Sequence, residues 1–332
     1  MSDAEPTPSP LEAVEESAGD GVVAAFGLLA NETRLAILLA LWDAYDPEAE
    51  TSAVPFSDLR ERVAMRDSGQ FNYHLGKLES HFVRKTADGY TLRPLGLNLI
   101  QTLIAGVARE ETLDSSAVDI PCHICGSDTA ISYQDGWLYH RCTECEGGLQ
   151  HSSQYPEGTL FAEPLPPAAL WNRTPEELFA AGIFRLLQVM SLKLGHLCPN
   201  CSGVIESTME VCDDHVTTPG EVCDNCHNTA AVRIKWYCEV CKYAGGSSPA
   251  GVVIVHPAVI SFYQAHGVRL GYESRDFESA KRLLALLRNH EQELISVDPV
   301  RVLVTVRLDG DELQLTLDDQ MNVVETTHST QQ

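Results

Sequence analysis

Every cysteine in this chain sits two residues from another candidate ligand. Eleven cysteines form five C-x-x-C pairs, Cys122/Cys125, Cys142/Cys145, Cys198/Cys201, Cys223/Cys226 and Cys238/Cys241, and Cys212 pairs in the same way with His215. A C-x-x-C turn points two sulfurs at one place, and two such turns complete a tetrahedron around a soft cation. A backbone that must bring these turns together is confined to short hairpins between them. The N-terminus has neither a basic segment nor an apolar core of the kind that directs secretion. The thiols therefore read as metal ligands in a reducing, cytoplasmic setting rather than as disulfides.

The first set is the clearest. Cys122 and Cys125 are separated by sixteen residues from Cys142 and Cys145, and the intervening ISYQDGWLYHR reads as strand, Asp-Gly turn and strand. This is the pattern of a four-cysteine zinc ribbon. The second region offers eight ligands, Cys198, Cys201, Cys212, His215, Cys223, Cys226, Cys238 and Cys241, enough for two closed sites. The simplest pairing is sequential: the first four, three thiolates and an imidazole, in one site, and the last four in a ribbon around AVRIKWY. An interleaved pairing, first pair with third, stays open. His215 is the weakest member; without it the region holds one zinc and spare thiols, so the chain carries two or three structural Zn2+ ions. His140, His151 and His196 fall outside these pairs and read as surface or core residues. A catalytic zinc keeps an open position, which complete four-thiolate sets lack. No H-E-x-x-H, G-x-S-x-G or P-loop pattern occurs, and no βαβ unit accompanies the C-x-x-C turns, so the expectation is a protein that is not an enzyme.

At 332 residues the chain is long enough for two or three units. Its 47 acidic against 23 basic residues give a formal net charge of −24. Such acidity is unusual for a nucleic-acid binder. It suits a halophilic cell with molar internal salt, where repulsion is screened within a few Å, and the scarcity of Lys beside Arg fits that setting. The longest apolar run, GVVAAFGLLA, is interrupted by Asn31-Glu32-Thr33-Arg34 and is too short to span a bilayer.

Residues 1–20 hold six acids, three prolines and no base, the composition of a disordered tail. From Val22 the periodicity is helical. VVAAFGLL forms one helix, Asn31 caps a second with Leu35, Leu38, Leu41 and Trp42 on its stripe, and Ser57 caps a third short one. Asp67 with Gln70 opens a helix over 68–82 whose apolar stripe is Phe71, Leu75, Leu78 and Phe82. VRKT, Asp88-Gly89 and YTLR follow as a hairpin, then a helix from about Leu95 to Val107 with Leu95, Leu99, Ile100, Leu103 and Ile104 apolar. This order describes a winged helix-turn-helix at 21–110. In that arrangement Ser68, Gln70, Asn72, Tyr73 and Lys77 face a major groove, and Arg84 and Lys85, in a wing at 83–93, follow the phosphate backbone. Residues 51–95 hold seven Arg plus Lys against five acids, a net of +2 inside a strongly negative chain. His74 lies on the core flank and reads as structural.

LANETRLAILLAL, PFSDLRERVAMRDSGQFNYHLGKL and VRKTADGYTLRPLG together resemble the winged helix-turn-helix of ArsR-type regulators in their halophilic archaeal form, over about residues 20–108. The resemblance implies a homodimer paired through the first and last helices of this domain, with 68–82 as the recognition helix on double-stranded DNA. Residues 1–121 contain no cysteine, so the thiolate sensor of metal-responsive members is absent. The alternatives are a transcription-machinery adaptor that docks on RNA polymerase or another transcription protein, as the winged helix plus zinc ribbon of the archaeal initiation factor TFE does, and a redox- or metal-responsive sensor.

The remaining chain reads as an α+β assembly. TLDSSAVDI is a linker, 121–147 the first ribbon, 148–170 irregular, and 171–195 a connecting helix opened by a capping box at Thr174-Pro175-Glu176-Glu177. The second cysteine module fills 198–245. A small C-terminal unit at 256–328 combines helices from Pro257 and from Phe277 to His290 with an antiparallel meander of RVLVTVRL, ELQLTL and MNVVETT.

Overall fold

The computed structural model describes residues 20–107, 112–149, 155–215, 223–226, 230–268, 275–287 and 289–330. The acidic segment before Asp20 and His151 lie outside these. The chain divides into two units, Met1–Ala108 and Arg109–Gln332.

In the N-terminal unit, α1 (Asp20–Leu29) meets α2 (Glu32–Asp43) at 85°. Asn31, extended at φ −152°, separates them, and its Oδ1 accepts the Arg34 N–H at 3.2 Å. This satisfies one of the free donors at the helix start. Helix α2 is apolar around most of its circumference but buries only Ile37, Leu38 and Leu41. Leu35, expected on the buried stripe, is exposed, as is Leu39. Helix α3 (Phe56–Arg62) follows Pro55 rather than the expected Ser57 cap, because the Ser57 hydroxyl donates sideways to Asp58 Oδ1 at 2.8 Å. Among the described residues no single helix is long and apolar enough to cross a membrane.

Asp67 caps α4 (Ser68–Glu79), accepting the N–H groups of Gly69 and Gln70 at 2.8 and 2.9 Å. Phe71, Leu75, Leu78 and Phe82 all point into the unit's core, although the helix stops at Glu79. Strands β1 (Val83–Lys85) and β2 (Tyr90–Leu92) pair antiparallel, with Arg84 opposite Thr91. Gly89 has φ +142°, and a Cβ there would lie 2.3 Å from the Val54 carbonyl oxygen. Only glycine lets β2 come close enough for Tyr90 and Val54 to exchange hydrogen bonds at 2.9 Å. Helix α5 (Pro94–Val107) closes the unit through Ile100.

The second unit contains three antiparallel sheets over one core. The first has the order β3 (Leu113–Val118), β4 (Thr129–Gln134), β5 (Trp137–Cys142), β6 (Thr159–Pro164). The expected linker is thus strand β3, and the expected irregular stretch contains β6. Neither shows clean alternation, because β3 buries only Val118 and β6 only Thr159 and Glu163. Helix α6 (Pro175–Leu194) starts at the full capping box of Thr174 and Glu177 and buries Leu178, Phe179, Ile183 and Leu187. The second sheet is β7 (Glu206–Val211), β8 (Val232–Tyr237), β9 (Ala244–Ser247). Short helices α7 (Pro249–Val252) and α8 (Pro257–Ala265) follow.

Helix α9 (Phe277–Leu287) ends before His290, which begins β10 (His290–Val297) rather than closing the helix. With β11 (Val300–Leu308), β12 (Asp311–Asp318) and β13 (Val323–Ser329) this makes a four-stranded meander, one strand more than the sequence suggests. Val302, Val304 and Val306 sit opposite Leu317, Leu315 and Leu313 and form its buried face. The two Asp-Gly hairpin turns of this unit, Asp135-Gly136 and Asp309-Gly310, have positive φ at each residue, which matches the twist of their flanking strands.

Two side chains of opposite charge, Glu163 and Lys193, are buried in this core. Glu163 on β6 is 5% exposed and Lys193 on α6 is 4% exposed, and the Lys193 ammonium lies 5.8 Å from the Trp236 ring and 5.6 Å from the Tyr243 ring. Burial pushes the Glu163 carboxyl up to about 7 despite Arg185 and Lys193, and pushes Lys193 down to about 8 despite Glu163.

Candidate metal centres and recognition surface

The pairing of β4 with β5 sets Thr129 opposite Cys142, so the chain returns from the hairpin beside the loop that holds Cys122 and Cys125. Cys122 Sγ lies 3.7 Å from Cys145 Sγ, and Cys125 Sγ 3.5 Å from Cys142 Sγ. Sulfurs at about 2.3 Å from a tetrahedral ion stand roughly 3.8 Å apart, so the set has the size of a metal site. Backbone N–H groups of Ile124, Glu144 and Cys145 point at the Cys122 and Cys142 sulfurs at 3.3–3.4 Å, as expected where sulfur carries negative charge.

The second region departs from the sequential pairing. Cys198, Cys201, Cys238 and Cys241 form one set, with Cys198 3.6 Å from Cys241 and Cys201 3.6 Å from Cys238. Cys212, His215, Cys223 and Cys226 form the other, in which Cys226 Sγ lies 3.4 Å from His215 Nδ1. The arrangement is nested, neither sequential nor first-with-third. The reason is the β7–β8 hairpin. Glu206 opposite Tyr237 puts Cys201 beside Cys238 at its base, and Val211 opposite Val232 puts Cys212 at its far end. Six-residue strands separate the two sets by roughly 17 Å at about 3.4 Å per residue. A sequence signal for this exists: ten residues separate Cys201 from Cys212 and eleven separate Cys226 from Cys238, the near-equal arms of one hairpin.

In each set the ligand atoms lie within 4.8 Å of one another, so each can hold a metal ion. The thiols of these sets are shifted in opposite directions. The Ser127 side chain and backbone N–H draw Cys125 down to about 6, and the Asn200 side chain draws Cys241 down to about 6. Burial, against the Gly147 N–H, and the neighbouring sulfurs of Cys142, Cys125 and Cys122 push Cys145 up to about 12. Four adjacent thiolates repel one another, and a divalent cation removes that conflict. His140 is not a ligand: it is 3% exposed and its Nε2 lies 2.7 Å from the Thr129 hydroxyl.

In the N-terminal unit, Ser68, Gln70, Asn72, Tyr73 and Lys77 are all exposed on α4, and Arg84 and Lys85 are exposed on β1. Tyr73 stands 61% exposed with the Lys77 ammonium 5.7 Å from its ring, and Lys85 lies 5.8 Å from the Tyr90 ring. None of Lys77, Arg84 and Lys85 pairs with a carboxylate among the described residues. Arg66, just before the Asp67 cap, is also exposed and is one of the seven cations of the basic 51–95 window. His74 is half-buried, with Nδ1 enclosed and unpartnered.

Residues 119–323 match a family model described as domain of unknown function (DUF7351), and residues 22–103 match a second, domain of unknown function (DUF7347). The first encloses all three ligand sets. No curated protein and no solved structure matches the chain.

Proposed function

The chain belongs to the DUF7351 family, and from that premise we propose that it is a sequence-specific DNA-binding transcriptional regulator. In this reading residues 22–103 act as an ArsR-like winged helix-turn-helix, and three structural zinc ions hold the family domain. The observation that carries it is the exposed side of α4. From Ser68 to Lys77 the helix bears no acid, buries Phe71 and Leu75, and leaves Gln70, Asn72, Tyr73 and Lys77 free beside Arg84 and Lys85. Gln and Asn match the adenine edge, Lys matches guanine or phosphate, and Gly69 and Gly76 leave room for close approach.

Apolar side chains exposed on α1 and α5, namely Val22, Phe26, Leu95, Leu103 and Ile104, support homodimerisation through those helices. A two-fold dimer reads a palindrome with half-sites about one helical turn apart. Zinc is the metal best suited to closed sets of four sulfurs or three sulfurs and an imidazole, and such sets leave it no open position for catalysis.

Selection of genomic DNA fragments in molar KCl tests the reading. Wild-type protein enriches a palindromic sequence over scrambled DNA. If folded, zinc-loaded protein enriches none, α4 is a protein-docking surface, and recovery of RNA polymerase subunits without DNA becomes the expected result.

A further inference from the structure

Charge is distributed unevenly within the N-terminal unit. Residues 1–20 hold six acids and no base, more than twice the acid density of a chain with 47 acids in 332 residues. Five of the six, Asp3, Glu5, Glu12, Glu15 and Glu16, precede α1, which starts at Asp20. The α4 face of the same unit carries the opposite sign. Of the seven Arg and Lys in residues 51–95, only Arg62 pairs with a carboxylate among the described residues. Arg66, Lys77, Arg84 and Lys85 are exposed, and no acid lies between Ser68 and Lys77. In so acidic a chain, four exposed and unpaired cations are the exception. The nearest acids in sequence that no described contact uses are those of residues 1–19. A segment of that length reaches about 60 Å when extended, and a folded unit of this size is about 30 Å across. All of α4 is therefore within its reach. Attachment to α1 holds its carboxylates at about millimolar effective concentration beside the face, far above what a free competitor reaches.

We propose that residues 1–19 cover the face formed by α4 and β1 as a built-in anion and compete there with DNA. Carboxylates of the segment meet the Lys77 and Lys85 ammonium groups and the Arg66 and Arg84 guanidinium groups. Such attraction acts over about 10 Å in 0.1 M salt and about 3 Å in 1 M. The cover therefore loosens as salt rises. Phosphate attraction weakens over the same range, so the two losses offset, and DNA binding depends less on salt than the bare face would dictate. The contact itself does not depend on the DNA reading; the competition rests on it.

Carbodiimide joins a carboxylate to an amine only where the two touch, so it tests the contact on the full zinc-loaded chain without DNA. The exposed pairs Lys235–Glu210 and Lys281–Asp119, both at 2.6 Å, serve as internal standards. In about 0.2 M KCl with sucrose to hold the fold, mass spectrometry should find residues 1–19 joined to Lys77 or Lys85 within one chain. Relative to the standards, that yield should fall at least about threefold in 2 M KCl. Neutralising the five acids (Asp3→Asn with Glu5→Gln, Glu12→Gln, Glu15→Gln and Glu16→Gln) changes no described residue. It should tighten binding to the selected palindrome at least about threefold in 0.2 M KCl and leave it unchanged in 2 M. No link to Lys77 or Lys85 while the standards form, links that persist undiminished in 2 M KCl, or links found only between two copies overturn the contact. Links without any gain in affinity on neutralisation overturn the competition. If the links form and neither chain binds any DNA, the contact stands and the DNA reading falls.

Discussion

The two units reach stability by different routes. The N-terminal unit has no cysteine and depends on packing, with Phe71, Leu75 and Leu78 fully buried against Ile37, Leu38 and Leu41. Arg62 pairs with Asp43, while Lys77, Arg84 and Lys85 pair with no carboxylate among the described residues. The second unit uses all eleven cysteines, and two of them, Cys198 and Cys238, are part of its hydrophobic core. The contrast suggests why a chain this acidic can still present a basic face. Ligand sets that can hold metal ions give the larger unit a source of order independent of its surface charge. The smaller unit is held by apolar contacts, which leaves its polar face available to a partner.

The sharpest way to break this comparison is to remove the metal. A structural zinc stabilises a small domain by about 10–16 kcal/mol in isolated peptides. Chelation should therefore unfold residues 113–318, seen as loss of amide protection there, while amides of α2 and α4 keep theirs. Equal loss in both units would contradict the division.

The three sets should also differ among themselves. Cys238 is 0% exposed and packs in the main hydrophobic cluster, whereas Cys223, at the far end of the β7–β8 hairpin, is 1% exposed but lies outside that cluster. Cys238→Ser should abolish the cooperative melting of the second unit. Cys223→Ser should lose one metal ion by native mass spectrometry and keep most of the transition. Equal effects would mean that the hairpin tip supports the core as much as its base does.

The buried Glu163/Lys193 pair supplies a smaller test. Burial raises the Glu163 carboxyl, and the charges of Arg185 and then Lys193 only partly offset it. Glu163 titrates near 7, above the ordinary carboxylate value. A raised carboxyl pKa means that the folded state holds the proton more tightly, so stability falls as pH rises from the unfolded value toward the folded one. Lys193→Met raises that folded value further. Its penalty should be small near pH 5, where Glu163 is neutral, and should grow toward pH 8 in denaturant titrations. A penalty independent of pH would show that Lys193 acts by packing alone. Smallest is Asp67→Ala, which removes the α4 cap and should lower the stability of the N-terminal unit by about 1 kcal/mol.

What the sequence showed was whatever short-range chemistry decides. Asn31 and Thr174 announce their helices, the Phe71, Leu75, Leu78 stripe announces α4, and two Asp-Gly turns announce their hairpins. The first cysteine set was equally plain, since one hairpin joins its halves. The nested sets were hidden, because ligand pairing follows from which strands pair, and β7 is a half-exposed ESTMEV with little apolar signal. Strands β3, β6 and β10 were missed for the same reason: they gain their place from neighbours rather than from their own alternation.

The central claim is that α4 reads DNA, and fluorescence anisotropy on the selected palindrome in molar KCl tests it most directly. Base contacts are worth about 1–3 kcal/mol each, so Tyr73→Ala/Lys77→Ala should weaken specific binding by roughly two orders of magnitude, with melting temperature and metal content unchanged. Because affinity in molar salt rests on base contacts and dimerisation, wild-type binding should also fall only gently as KCl rises. A double variant that binds the palindrome as tightly as wild type would contradict the claim.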